Sequence, residues 1–125
     1  VEIESSLEAM NQRWCIDNIK DYNSKTYFRS NRKAQAGDYV TYKFKEAVKC
    51  SMIIVETGIP NIDFYGVTDG ILEYSYNGVD FIKGAEFTDN VATLHPDKPI
   101  KAVRISVTAP NDAHTLCLQD IKVVE

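Results

Sequence analysis

The sequence predicts an all-β protein, an antiparallel β-sandwich. Three observations carry that expectation. Apolar residues recur with period two in one segment after another beyond residue 37, and turn residues separate those segments. Helical spacing is confined to the first third of the chain, where no long apolar stripe develops. Many short strands joined by turns bury their apolar faces by stacking as two sheets.

Gly37-Asp38 supplies the first turn, and Val40, Tyr42 and Phe44 then alternate with Tyr39, Thr41 and Lys43 as a strand with one buried face. Residues 48–57, VKCSMIIVET, become apolar on both faces, as expected in the middle of a sandwich; Gly58 and Pro60 close the segment. In residues 70–81, Leu72, Tyr74 and Tyr76 alternate up to Asn77-Gly78, a pair suited to a type I′ hairpin turn, so Val79 to Ile82 should return antiparallel. Val103, Ile105 and Val107 form a further strand, and residues 116–124 a last one. In that last strand the apolar parity switches from Leu116 and Leu118 to Ile121 and Val123, which predicts a bulge near Gln119-Asp120. Before residue 37, Leu7, Met10, Trp14, Ile16 and Ile19 allow a turn or two of helix.

A chain of 125 residues fits one domain, and the missing initiator Met suggests a segment excised from a larger multidomain protein. With 14 Lys and Arg against 18 Asp and Glu, the net charge of -4 gives no basic field for nucleic acid. No apolar run approaches the roughly 20 residues that cross a bilayer, so membrane insertion is not expected. Cys15, Cys50 and Cys117 form no CxxC pair; one disulfide, such as Cys15 with Cys117, is conceivable, and buried free thiols are the simpler reading. The chain contains no GxSxG, P-loop or dinucleotide motif, and His95 and His114 lack metal spacing. Acidic pairs such as Glu73 with Asp80 flank turns, where solvated charge is the common explanation. No enzyme activity is expected of this domain.

Taken in order, the signals resemble a known family. Asp21-x-Asn23-x-x-Thr26 followed by Tyr27, Phe28 and Ser30, then Gly37-Asp38-Tyr39-Val40, then Gly70-x-Leu72-Glu73-Tyr74-Ser75-x-Asn77-Gly78-x-x-Phe81, then Val103-Arg104-Ile105 and Asp120-Ile121, look like the discoidin-like (coagulation factor V/VIII type C) domain. That family includes the family 32 carbohydrate-binding modules, and the likeness covers nearly all of residues 14–124. It is nearest to modules appended to bacterial β-N-acetylhexosaminidases, chitobiases and hyaluronidase-like glycosidases. The resemblance implies a galactose-binding-domain-like jelly roll, a non-catalytic accessory role beside a parent glycosidase, and a periplasmic, cell-surface or secreted location.

It also implies a structural calcium. Hard cations take about six to eight oxygen ligands, which a short polar loop can present together. Asp21, Asn23 and Thr26 match the family's loop donors, and Asp120 matches the acidic position of its last strand. Tyr22 stands where the family usually has Gly, and Asp120 is shorter than the usual Glu. Without an ion, the same residues can form an Asx turn that caps local backbone.

The third implication is glycan binding, of N-acetylhexosamine or galactose type. Sugar recognition requires an aromatic face and a few fixed donors and acceptors. Three loop sets offer them: Arg29, Asn31 and Arg32; Asn61, Asp63, Phe64 and Tyr65; and Asn111, Asp112 and His114. Relatives of the hexosaminidase type often carry Trp where this chain has Arg29, so stacking would fall to Phe64 or Tyr65, while Trp14 is expected to plug the end of the sandwich. The alternative is a structural or protein-interaction domain with no working sugar site.

Overall fold

Alternating apolar residues become two facing layers. The computed structural model describes residues 2–21, 23, 25–59, 65–111 and 114–125. Among them the chain forms nine strands: β1 (Glu2–Ser5), β2 (Phe28–Arg29), β3 (Tyr39–Val48), β4 (Met52–Thr57), β5 (Gly70–Ser75), β6 (Ile82–Glu86), β7 (Val91–Leu94), β8 (Ile100–Val107) and β9 (Cys117–Val124). One sheet has the order β1-β3-β8-β5-β6 and the other β2-β9-β4-β7, with every neighbouring pair antiparallel.

The core lies between the sheets. Leu72, Val103 and Ile105 from the first sheet face Phe28, Ile53, Val55 and Leu118 from the second, all nearly inaccessible to solvent. Burying each such side chain contributes about 1.5–3 kcal/mol, which is what holds the layers together. β4 is interior, as its apolar run predicts, yet only Ile53, Val55 and Thr57 are buried; Ile54, on the other face, is half-buried. Ser30 is buried with its needs met: its hydroxyl donates to the Arg32 carbonyl at 2.6 Å and accepts the Leu116 N–H at 2.9 Å.

The bulge expected from the parity switch is present. β9 pairs Ile121 with Val55 and Leu118 with Thr57, so Gln119 and Asp120 together oppose Glu56 alone. The helical turns before residue 37 are short 3₁₀ segments, Gln12–Trp14 and Ile16–Ile19.

The hairpin differs from its expected form. Only Gly78 of the Asn77-Gly78 pair has positive φ (82°), and Tyr74 pairs with Ile82, leaving residues 76–81 as a longer loop. The reason is local: the Asn77 side-chain Oδ1 accepts the N–H groups of Val79 and Asp80 at 2.8 and 2.9 Å, which holds Asn77 in an Asx turn. Val79 is consequently exposed rather than paired.

Cys15 is half-buried, Cys50 and Cys117 are buried, and all three are free thiols, in accord with the simpler reading. No helix among the described residues is long and apolar enough to cross a membrane.

Candidate functional site

The short strand β2 sets out the site. Its period of two turns Phe28 into the core and Arg29 outward. On one side β2 pairs with β9, Arg29 opposite Cys117. On the other it meets the preceding segment through an Ala9–Ser30 bridge, with the Met10 N–H donating to the Arg29 carbonyl at 2.8 Å. That segment leads directly into the 3₁₀ turn bearing Trp14, which starts where the Asn11 side chain accepts the Arg13 N–H at 3.0 Å. Asn18 then fastens the turn, donating to the carbonyls of Arg13 and Tyr27 at 2.9 Å each, so that Trp14 stacks on Tyr27 with centroids 6.2 Å apart.

Into this frame Arg29 extends. Its Nε donates to the Thr115 hydroxyl at 3.0 Å, and its guanidinium carbon lies 5.5 Å from the Trp14 ring and 5.0 Å from the Tyr65 ring. Tyr65 meets His114 edge to face, centroids 5.3 Å apart. It does so with φ at +66°, a conformation that disfavours a bulky side chain and is held by the Cys117 N–H donating to the Tyr65 carbonyl at 2.7 Å. His114 Nδ1 sits 2.8 Å from the Thr115 carbonyl oxygen and 3.3 Å from the Asn111 side-chain amide nitrogen, so the tautomer decides which of the two it bonds. The Asn111 N–H donates to the buried Ala34 at 2.9 Å, fixing that loop to the sandwich.

Of the predicted ligand residues, the structure therefore gathers Arg29, Tyr65, Asn111 and His114. Asn61, Asp63 and Phe64 lie outside the described residues. Arg32 is a correction. Its guanidinium grips the buried Asp38 carboxylate with two bonds of 2.7 Å, and the Gln35 N–H and Ser6 hydroxyl complete that carboxylate's shell. The Arg32 hydrogen bond is the main reason that Asp38 is held at a pKa of about 2. Trp14 is a second correction: half-buried in a turn that has no buried residue, it stands beside Arg29 at the surface instead of plugging the sandwich. Sequence reasoning also missed Tyr27 and Thr115, since only the β2–β9 pairing brings them level with Arg29.

The predicted cation residues form a local network. The Asp21 carboxylate accepts the Asn23 N–H at 2.9 Å and the Thr26 hydroxyl at 2.6 Å, and the Asn23 side chain accepts the Lys25 N–H at 2.9 Å. These are the bonds of the Asx turns that need no ion. The loop leads into β2, which pairs with β9 at Phe28–Leu118, two residues before Asp120 in the bulge. The side chains of Asp21, Asn23, Thr26 and Asp120 offer oxygen donors, the kind a hard cation takes; no group of three or more His, Cys, Asp or Glu that could hold a metal ion occurs among the described residues.

No family model matches the chain, and no curated protein matches it by sequence. Solved structures do match. The Clostridium perfringens module CpGH89CBM32-5, in complex with GalNAc-β-1,3-galactose, superposes with a TM-score of 0.74 at 13% identity, over 99% of this chain and 94% of that one. The family 32 module of C. perfringens NanJ, in complex with galactose, gives 0.72 at 18% identity, over 98% and 91%. Chitosan-binding module 2, in complex with chitotriose and derived from a chitosanase/glucanase of Paenibacillus sp. IK-5, gives 0.76 at 14% identity, over 99% and 95%. All three likenesses are to the fold, at identities of 18% or less. The chain has the antiparallel β-sandwich fold seen in these family 32 carbohydrate-binding modules.

Proposed function

We propose that the chain is a non-catalytic glycan-binding accessory module of a bacterial, extracytoplasmic glycosidase of the chitobiase or hexosaminidase kind, and that it takes glycan ends of GlcNAc, GalNAc or galactose type. The observation that carries this reading is the convergence of Arg29, Tyr65, Asn111 and His114 with the sole tryptophan, Trp14, on one end of the sandwich. Half-exposed rings offer a pyranose its C–H contact, and the guanidinium, amide and imidazole supply donors and an acceptor for its hydroxyls. Structural neighbours solved with galactose, GalNAc-β-1,3-galactose and chitotriose support the ligand class. Binding is weak, about 4 kcal/mol or a Kd near 1 mM for one sugar, because few atoms meet and polar groups must lose water.

We further propose a calcium ion held by Asp21, Asn23, Thr26 and Asp120. Bound there, it would tie the loop before β2 to the bulge of β9 by charge. The oxygen-only donor set supports it; the Asx turns maintain the loop when the ion is removed.

A glycan array on the domain, with and without chelator, tests both readings. Signal on N-acetylhexosamine or galactose ends is expected, with a fall in Tm of several degrees on chelation. Absence of any glycan signal would favour a structural or protein-interaction role, and an unchanged Tm would remove the ion.

A further inference from the structure

A second concavity lies at the other end of the sandwich. β4 runs from Met52 to Thr57; its far end, Thr57, borders Leu118 and the Arg29 cluster, whereas Ile53 pairs with Leu94, after which the chain leaves β7. Between the two edge strands, β6 and β7, the sheets part to leave a groove of about 350 Å³. That volume suits a ligand of one or two sugar rings.

One wall comes from Tyr74, Tyr76, Lys83 and Gly84, the other from His95 and Asp97. Tyr74 and Tyr76 meet edge to face, centroids 5.5 Å apart, and form an aromatic floor. Gly84 keeps that floor open: a Cβ there would overlap the Leu94 side chain and come within 3.0 Å of the Tyr74 ring. The Tyr76 hydroxyl donates to Asp97 Oδ1 at 3.0 Å. Desolvation and this carboxylate push the phenol up to about 12, so it remains a donor at ordinary pH. Oδ2 of Asp97 has no hydrogen-bond partner among the described residues and can accept a hydroxyl.

Two lysines border the aromatic floor. Lys98 Nζ sits 4.7 Å from the Tyr76 ring and makes no ion pair among the described residues. Lys83 pairs only with Glu86, at 3.3 Å between two exposed side chains, a link weak enough to exchange for a ligand carboxylate. Asp97 and Glu86 bring two carboxylates to the same end, so Lys83 and Lys98 stand beside the aromatic floor as local cations and not as a net positive charge.

We propose that the groove is a second glycan site, selective for an acidic saccharide of one or two uronate residues. The C–H face of the ring lies on the tyrosines, the carboxylate meets Lys83 and Lys98, and hydroxyls meet Asp97 and His95. This site is independent of the cluster around Arg29, and its success or failure leaves that reading untouched.

Amide chemical-shift mapping with digalacturonate as the probe tests it on the whole chain. Expected are shifts confined to residues 74–76, 83–84 and 93–98, weakened as salt rises from about 50 to about 300 mM. The Lys83→Gln, Lys98→Gln double variant is expected to lose affinity at least fivefold with an unchanged Tm, since both lysines are exposed. Arg29→Ala should leave this titration unaltered. Shifts confined to the Arg29–His114 end, no shifts at all, or groove shifts given equally by an uncharged galactose disaccharide would each overturn the proposal.

Discussion

Tyr65 and His114 meet edge to face, 5.3 Å between ring centroids, with the Arg29 guanidinium 5.0 Å from the tyrosine ring. A tyrosine at positive φ is thereby clamped between a cation and an imidazole. If the proposed glycan site is here, clamping of this kind would order its surface before the ligand arrives and lower the cost of association.

Arg29 joins both aromatic rings, so Arg29→Ala should weaken glycan binding at the loop end at least tenfold, about 1.4 kcal/mol, while Tm changes little. Trp14 is the only tryptophan and lies 5.5 Å from that guanidinium, so its fluorescence reports the titration directly. Fluorescence that is blind to a bound sugar would place the ligand elsewhere.

Asp38 gives the acid limb of stability. Its folded pKa of about 2, set mainly by the Arg32 hydrogen bond, lies below the ordinary value of about 3.9. A depressed carboxylate stabilises fully above the unfolded value and loses that contribution as pH falls through the folded one. Between about pH 5 and pH 2 the protein should therefore lose about 1–2 kcal/mol through this group, a range that allows for a half-exposed Arg32. Urea midpoints measured against pH should fall less steeply in Asp38→Asn; parallel slopes would refute the assignment.

Gly84→Ala should destabilise by about 1–3 kcal/mol, because the new methyl overlaps Leu94 and crowds the Leu72 carbonyl at 3.0 Å. Equilibrium unfolding measures it. A neutral substitution would mean that the β6 edge moves away from β7 at little cost.

Burial pushes the Cys117 thiol up to about 11 and raises Cys50 above its ordinary range, so neither is a ready nucleophile near pH 8. A chromogenic disulfide reagent should label half-buried Cys15 first and the other two only after unfolding. Three equally fast thiols would contradict this burial.

Read alone, the sequence determined what local pattern can encode. Alternation at Val40-Tyr42-Phe44 and Val103-Ile105-Val107 specified buried strand faces, and the parity switch beside Gln119-Asp120 specified the bulge, because side chains in a strand repeat every two residues whatever the strand pairs with. Strands too short or too exposed to show that period, such as β1 and β2, were not legible, and the return strand β6 begins at Ile82, where the expected one ended. Nor was the true form of the hairpin, where a side-chain bond from Asn77 overrode a dipeptide preference.

The site itself was half legible. Arg29, Tyr65, Asn111 and His114 have the chemistry of ligand contacts, but nothing local separates Arg29 from Arg32. Tertiary structure alone decided that Arg32 closes on Asp38, that Trp14 stands beside Arg29, and that Tyr76, Lys83 and Asp97 share a groove. The physical reason is sequence distance: Arg29 and Thr115 are 86 residues apart, and only a formed β2–β9 ladder brings them within one hydrogen bond.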